Sequence, residues 1–122
     1  MPAFAANDRG MIDVLTCPQA GRLAVIELKA DEDIHLPLQG LDYWARVKWH
    51  HERGEFQQNG YFPGRALANS APLLILAAPA RRIHPATDTL LRYLHPEIEW
   101  VLLGVGERWR SELKVVFRKR QG

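Results

Sequence analysis

Cysteine is nearly absent: Cys17 stands alone, so no disulfide can close within the chain, and the composition fits a reducing, cytoplasmic compartment. No basic start followed by an apolar run is visible, so no signal peptide is expected. The longest apolar run, Ala71 to Ala80, is broken by Pro72 and Pro79 and is too short to span a bilayer. Internal repeats, low-complexity tracts and linkers are missing as well. Net charge is only +2, so bulk charge does not announce a nucleic-acid partner. What these exclusions leave is a chain of 122 residues, 47% hydrophobic and 25% charged, which suits a single domain over residues 1–122 with one core and no membrane segment.

What is present centres on Leu23-Ala24-Val25-Ile26-Glu27-Leu28-Lys29. Its small and aliphatic side chains predict a strand inside a sheet. Glu27 interrupts that strand and Lys29 follows two residues on, so alternation puts both on one face. A charge in so apolar a strand is costly unless it pairs, binds a metal or reaches water. Upstream, Met11-Ile12-Asp13-Val14-Leu15-Thr16 favours a second strand with one charge in it. The intervening Cys17-Pro18-Gln19-Ala20-Gly21 predicts a tight turn, most simply a type I turn closed by a glycine bulge. A hairpin turning near Gln19 and Ala20 pairs positions whose numbers sum to about 39 or 40. At 40, Asp13 stands opposite Glu27, and two carboxylates and an ammonium converge at roughly the cross-strand spacing. Opposed like charges are destabilising. Magnesium, which takes carboxylate oxygens, is the simplest compensation, with manganese as the alternative.

Asp13, thirteen further residues and then Glu27-Leu28-Lys29 resemble the D…(D/E)-x-K signature of the PD-(D/E)XK nuclease superfamily, with Ile12 where a proline is usual. Gln39-Gly40-Leu41-Asp42-Tyr43 matches the Gln-x-x-x-Tyr that RecB-like branches carry on the next helix. The resemblance covers residues 1–53 in motif detail, and the later strand and helix in layout only. It implies an α/β fold: a mixed sheet with flanking helices and a restriction-endonuclease-like core. That core opens with a helix for which the sequence begins too late. The fold is therefore expected to be N-terminally abbreviated, to belong to a fragment, or to be completed by a partner or a second copy. The implied activity is magnesium-dependent hydrolysis of nucleic-acid phosphodiester bonds, with DNA ahead of RNA. Asp13, Glu27 and Lys29 are the implied catalytic residues. Asp13 and Glu27 bind the metal, with the Leu28 carbonyl as a further ligand, and Lys29 positions water or stabilises the phosphate. Gln39 and Tyr43 hold the carboxylates or the substrate. The alternative is a non-catalytic nucleic-acid-binding or interaction module on the same scaffold.

Elsewhere the reading is coarser. Residues 1–6 predict a strand or its remnant, and Asn7-Asp8-Arg9-Gly10 a turn. The acids of Ala30-Asp31-Glu32-Asp33-Ile34-His35 are expected at a helix start, where the dipole favours them. Pro37 suits the first turn, the helix runs to about Arg53, and Gly54 stops it. Leu38, Leu41, Ala45 and Trp49, with Trp44, form the expected core stripe. Gln39, Tyr43, Arg46 and His50 form another face, and Gly40 allows close approach to the sheet. A loop follows over residues 55–70, its Tyr61 and Phe62 anchoring it to the core. Leu73 to Ala78 predicts a buried strand parallel to the hairpin's second strand. Pro85 to Leu94 predicts a short helix, with His84 and His95 capping or packing at its ends. Residues 97–106 and 112–119 predict a hairpin. The basic residues between Arg108 and Arg120 could lie along phosphates or simply be solvated.

Overall fold

The structure, a computed structural model, describes residues 3–6, 11–17, 21–64 and 66–121; for residues 3–6 and 11–13 the description is of backbone alone. The expected turns over residues 7–10 and 18–20 lie outside the described residues. Among the described residues six strands form one mixed sheet in sequential order. Strands β1 (Ala3–Ala6), β2 (Met11–Thr16) and β3 (Ala24–Lys29) make an antiparallel meander. Helix α1 (Leu36–Glu52) then crosses over to β4 (Leu73–Pro79), which runs parallel to β3. A short helix, α2 (Glu55–Gln58), lies inside the expected loop. After a 3-10 turn at Ala80–Arg82 and helix α3 (Thr87–Arg92), β5 (Trp100–Val105) adds in parallel and β6 (Val115–Arg120) returns antiparallel at the edge. The fold is therefore α/β with a mixed sheet and helices, the general class expected. Among the described residues no helix is long and apolar enough to cross a membrane.

The core lies between α1 and one face of the sheet. Val25, Leu74, Leu76, Trp100 and Leu102 meet Leu36, Trp44, Val47 and Leu91 in a single buried cluster. Each such aliphatic side chain, fully buried, contributes about 1.5–3 kcal/mol. Cys17 belongs to this cluster too, so its role is packing. The opposite face carries Ile26, Leu28, Leu73, Ile75, Val101 and Leu103, all only half-buried. The Trp44 indole N–H donates to the Pro72 carbonyl at 2.7 Å in the interior, tying mid-helix to the start of β4.

The expected core stripe of α1 is corrected by this packing. Leu38 is 49% exposed and Trp49 51% exposed, and Ala45 is exposed as well. Trp44 is buried and Leu41 packs at the margin, as expected, and the other buried residues are Leu36, Pro37, Gly40 and Val47. Gly40 explains the shift. A Cβ there would sit 2.3 Å from Leu76 Cδ2 and 3.3 Å from Leu74 Cδ1, so Gly40 is where helix and sheet touch and the buried stripe is centred on it. Gly54, with φ of +67°, ends α1 as expected, since a left-handed residue cannot continue the helix. His84 Nδ1 accepts from the Ala86 N–H and His95 Nδ1 from the Glu97 N–H, each at 3.0 Å; both bonds tighten the turns that flank α3, and neither caps the helix, whose N-cap has no side-chain hydrogen bond.

Candidate functional site

The centre of the site is the end of β3. In the β2–β3 ladder Asp13 is the Cα partner of Glu27, which is one of the two registers the hairpin arithmetic allowed. The Asp13 side chain lies outside the described residues. Glu27 is 2% exposed, and its Oε2 is buried with no hydrogen-bond partner among the described residues. A carboxylate oxygen only accepts, and leaving one dry and unpaired in a low-dielectric interior costs about 1–3 kcal/mol or more. The site therefore has an acceptor that asks for a cation, a proton or a donor from a ligand. Hard divalent cations suit such an oxygen. Among the described residues, no three His, Cys, Asp or Glu side chains gather to form a complete ligand cage.

Lys29, on the same face and also buried, is treated differently. Its Nζ donates to Gln39 Oε1 at 2.9 Å and pairs with Asp33 Oδ2 at 2.6 Å. Two of its three donor directions are thus fixed. Among the described residues no ion pair joins Lys29 to Glu27. Asp33 also accepts from the His35 backbone N–H at 2.8 Å, and His35 Nδ1 lies 3.0 Å from the same oxygen. The Lys29 hydrogen bond, followed by the His35 N–H, holds the Asp33 carboxyl down to about 2 from an ordinary 3.8. The acids were expected at the loop and helix start, where the dipole favours them. They lie in that loop, with none in the first turn of α1, and Asp33 secures the lysine just before the helix begins. Sequence reasoning missed this role. The available signal was physical: a buried ammonium needs acceptors, and the acids straight after the strand are the nearest.

Helix α1 supplies one wall. Gln39, Tyr43 and Arg46 line, with Glu27, His35 and Asp42, a cavity of about 300 Å³. Three of the four residues read as a second face of α1, Gln39, Tyr43 and Arg46, thus border Glu27 of β3. Because Gln39 Oε1 accepts from Lys29, its amide nitrogen keeps its two hydrogens for other acceptors. The ring of Tyr43 also packs against the core cluster. Arg46 is exposed and paired with Asp42 at 3.0 Å. His50 lines an adjoining hollow with Tyr43, Arg46, Phe56 and Tyr61 rather than the Glu27 cavity itself. Phe62 anchors the loop by burial at 4% exposure, whereas Tyr61 remains 38% exposed. Lys29 does not line the Glu27 cavity; its ammonium reaches that wall through Gln39.

Comparison with protein-family models, curated proteins and solved structures finds no match to this chain.

Proposed function

We propose that the protein is a metal-dependent nuclease of the PD-(D/E)XK type, hydrolysing nucleic-acid phosphodiester bonds at the Glu27 cavity. One observation carries this reading. Glu27 lines a cavity, its Oε2 is buried with no partner among the described residues, and it stands in the ladder position opposite Asp13. Evolution seldom leaves such an oxygen in a core without a use for it. Glu27 and Asp13 would hold magnesium or manganese. When bound, that ion supplies charge neutralisation on the phosphate and an acidified water. The chain's own groups do the rest. Lys29, immobilised by Asp33 and Gln39, would act from behind Gln39, contributing a positive field where negative charge grows in the transition state. The Gln39 amide hydrogens are free to donate to a phosphate oxygen. Tyr43 forms the wall that limits how a strand can lie, and DNA is the preferred substrate in this reading.

The test is cleavage of plasmid and single-stranded DNA with Mg²⁺ or Mn²⁺, comparing the native protein with Asp13→Ala and Lys29→Ala. Each variant is expected to lose about 100-fold or more in rate. Equal cleavage by all three would assign the activity to a contaminant. A second reading, a nucleic-acid-binding module without catalysis, draws support from the placement of Lys29 behind Gln39 rather than on the cavity wall. Salt-sensitive DNA binding with no metal-dependent cleavage selects it.

A further inference from the structure

Burial alternates along the middle of β3, β4 and β5. Val25, Leu74, Leu76 and Leu102 are closed off completely on the helix side. Leu91 of α3 and Phe56 of α2 pack with α1 in the same cluster, so the helices occupy one face of the sheet. On the opposite face Ile26, Ile75, Val101 and Leu103 are only half-buried, and none of them belongs to that cluster. Parallel strands covered on both faces read as unbroken apolar runs, whereas a face left in water takes polar residues at alternate positions. Leu73-Leu74-Ile75-Leu76-Ala77-Ala78 and Val101-Leu102-Leu103 are unbroken. These strands have the composition of a sheet covered twice, and the described residues cover it once. Charges stand only near the margins of the open face. Just before β3 and β5, Arg22 and Glu99 pair at 2.9 Å and cancel. Arg118 and Arg120 lie opposite Leu103 and Val101 on exposed β6, where apolar stems carry their charged ends into water.

We infer that this open face is an interface with a second copy of the chain, packed sheet against sheet. Area and shape choose the occupant. Strands about 4.8 Å apart, rising about 3.3 Å per residue, give β2 to β6 a footprint of about 500 Å². Two copies bury about 1,000 Å² between them, which is what a specific interface requires. A lone helix covers a strip only about 10 Å wide and leaves most of the face wet. Half-buried side chains on a sheet are recessed between their neighbours. They interdigitate with another pleated face at a separation of about 10 Å, and they reach poorly into a lipid surface. A two-fold axis parallel to the strands, at β4, sets Ile75 against its own copy. It also carries each β6 over the other copy's β2, so the arginines of the two copies stay apart. Such a contact is isologous and closes at two copies. The Glu27 cavity, on the helix side, stays open in both.

The experiment is sedimentation equilibrium of the full chain across micromolar concentrations, where a reversible dimer is expected. Ile75→Lys and Leu103→Glu should each weaken it about 10-fold or more with circular dichroism unchanged, whereas Leu38→Glu, on the exposed side of α1, should leave it within about twofold. A second measurement does not depend on a charged variant folding. Ile75→Cys keeps the face uncharged, and Cys17 is itself buried. A short bis-maleimide should join Ile75→Cys chains into dimers and leave Leu38→Cys and native chains single. Glu27→Gln should dimerise as the native protein does, so this interface and the nuclease reading fail independently. The proposal is overturned if the chain stays monomeric into the millimolar range, if Leu38→Glu breaks the dimer and the sheet-face variants do not, or if Leu38→Cys cross-links and Ile75→Cys does not. Capture of monomers on phosphatidylglycerol vesicles, without self-association, overturns it in favour of a membrane surface.

Discussion

Strand β3 carries Glu27 and Lys29 in the interior of the sheet, while β6 carries Arg118, Lys119 and Arg120 on an exposed edge. At the edge, water solvates each cation, and the ion pair that Lys119 makes with Asp88 is half in solvent. Such pairs contribute at most about 1 kcal/mol. In β3 water is excluded, and every charge needs a partner from the protein or from a ligand. Lys29 has two, Asp33 and Gln39; Glu27 Oε2 has none among the described residues. Charge count is thus a poor guide to function here. The informative quantity is how a charge is compensated, and by that measure the fewer charges of β3 say more than the many of β6.

The contrast is most severely tested at Lys29. Lys29→Met should destabilise the fold by about 3 kcal/mol, because it strands Asp33 and leaves the Gln39 carbonyl unmet; a urea midpoint unchanged from the native protein would show that β3 tolerates an unpaired charge as β6 does. Asp33→Asn should lose up to about 2 kcal/mol at neutral pH. Its folded carboxyl is held at about 2, below the ordinary 3.8. The stability it confers is therefore present above about pH 4 and fades as pH falls through about 2. Acid-unfolding curves of native and Asp33→Asn proteins should converge in that window and diverge above it. Glu27→Leu should move the other way, raising stability by about 1–2 kcal/mol while abolishing metal-dependent cleavage. Destabilisation instead would mean that Glu27 is structurally satisfied. At the small end, Arg118→Gln on β6 should change the melting free energy by less than about 0.5 kcal/mol.

Much of this architecture is legible in the sequence, because alternation and turn chemistry are local. The hairpin register pairing Asp13 with Glu27, the crossover through α1 and the parallel β4 all follow from the spacing of Pro18, Gly21, Pro37 and Gly54 between apolar runs. The buried face of α1 does not follow so simply. Leu38 and Trp49 have the bulk expected of core residues, yet the helix buries the side centred on a residue with no side chain at all. Bulk misleads when one contact is made by backbone, and Gly40 itself was the signal for where that contact lies. In the candidate site, Glu27, Lys29 and Gln39 stand out because they break or decorate an apolar pattern. Asp33 and His35 do not, since an acid and a histidine in a polar loop look like any solvated pair until the strand end folds beside them.

Gly40 also keys the helix to the sheet like a joint with one seat. Sliding α1 by a turn in either direction would bring Leu36 or Trp44 to the gap beside Leu76, and neither side chain fits where a single Cβ would already collide. Changes in the length of the 30–35 connection would therefore alter the route into the helix without translating Gln39 along β3. The spacing of amide and carboxylate is governed by the joint, and the connection ahead of it is free to be rebuilt.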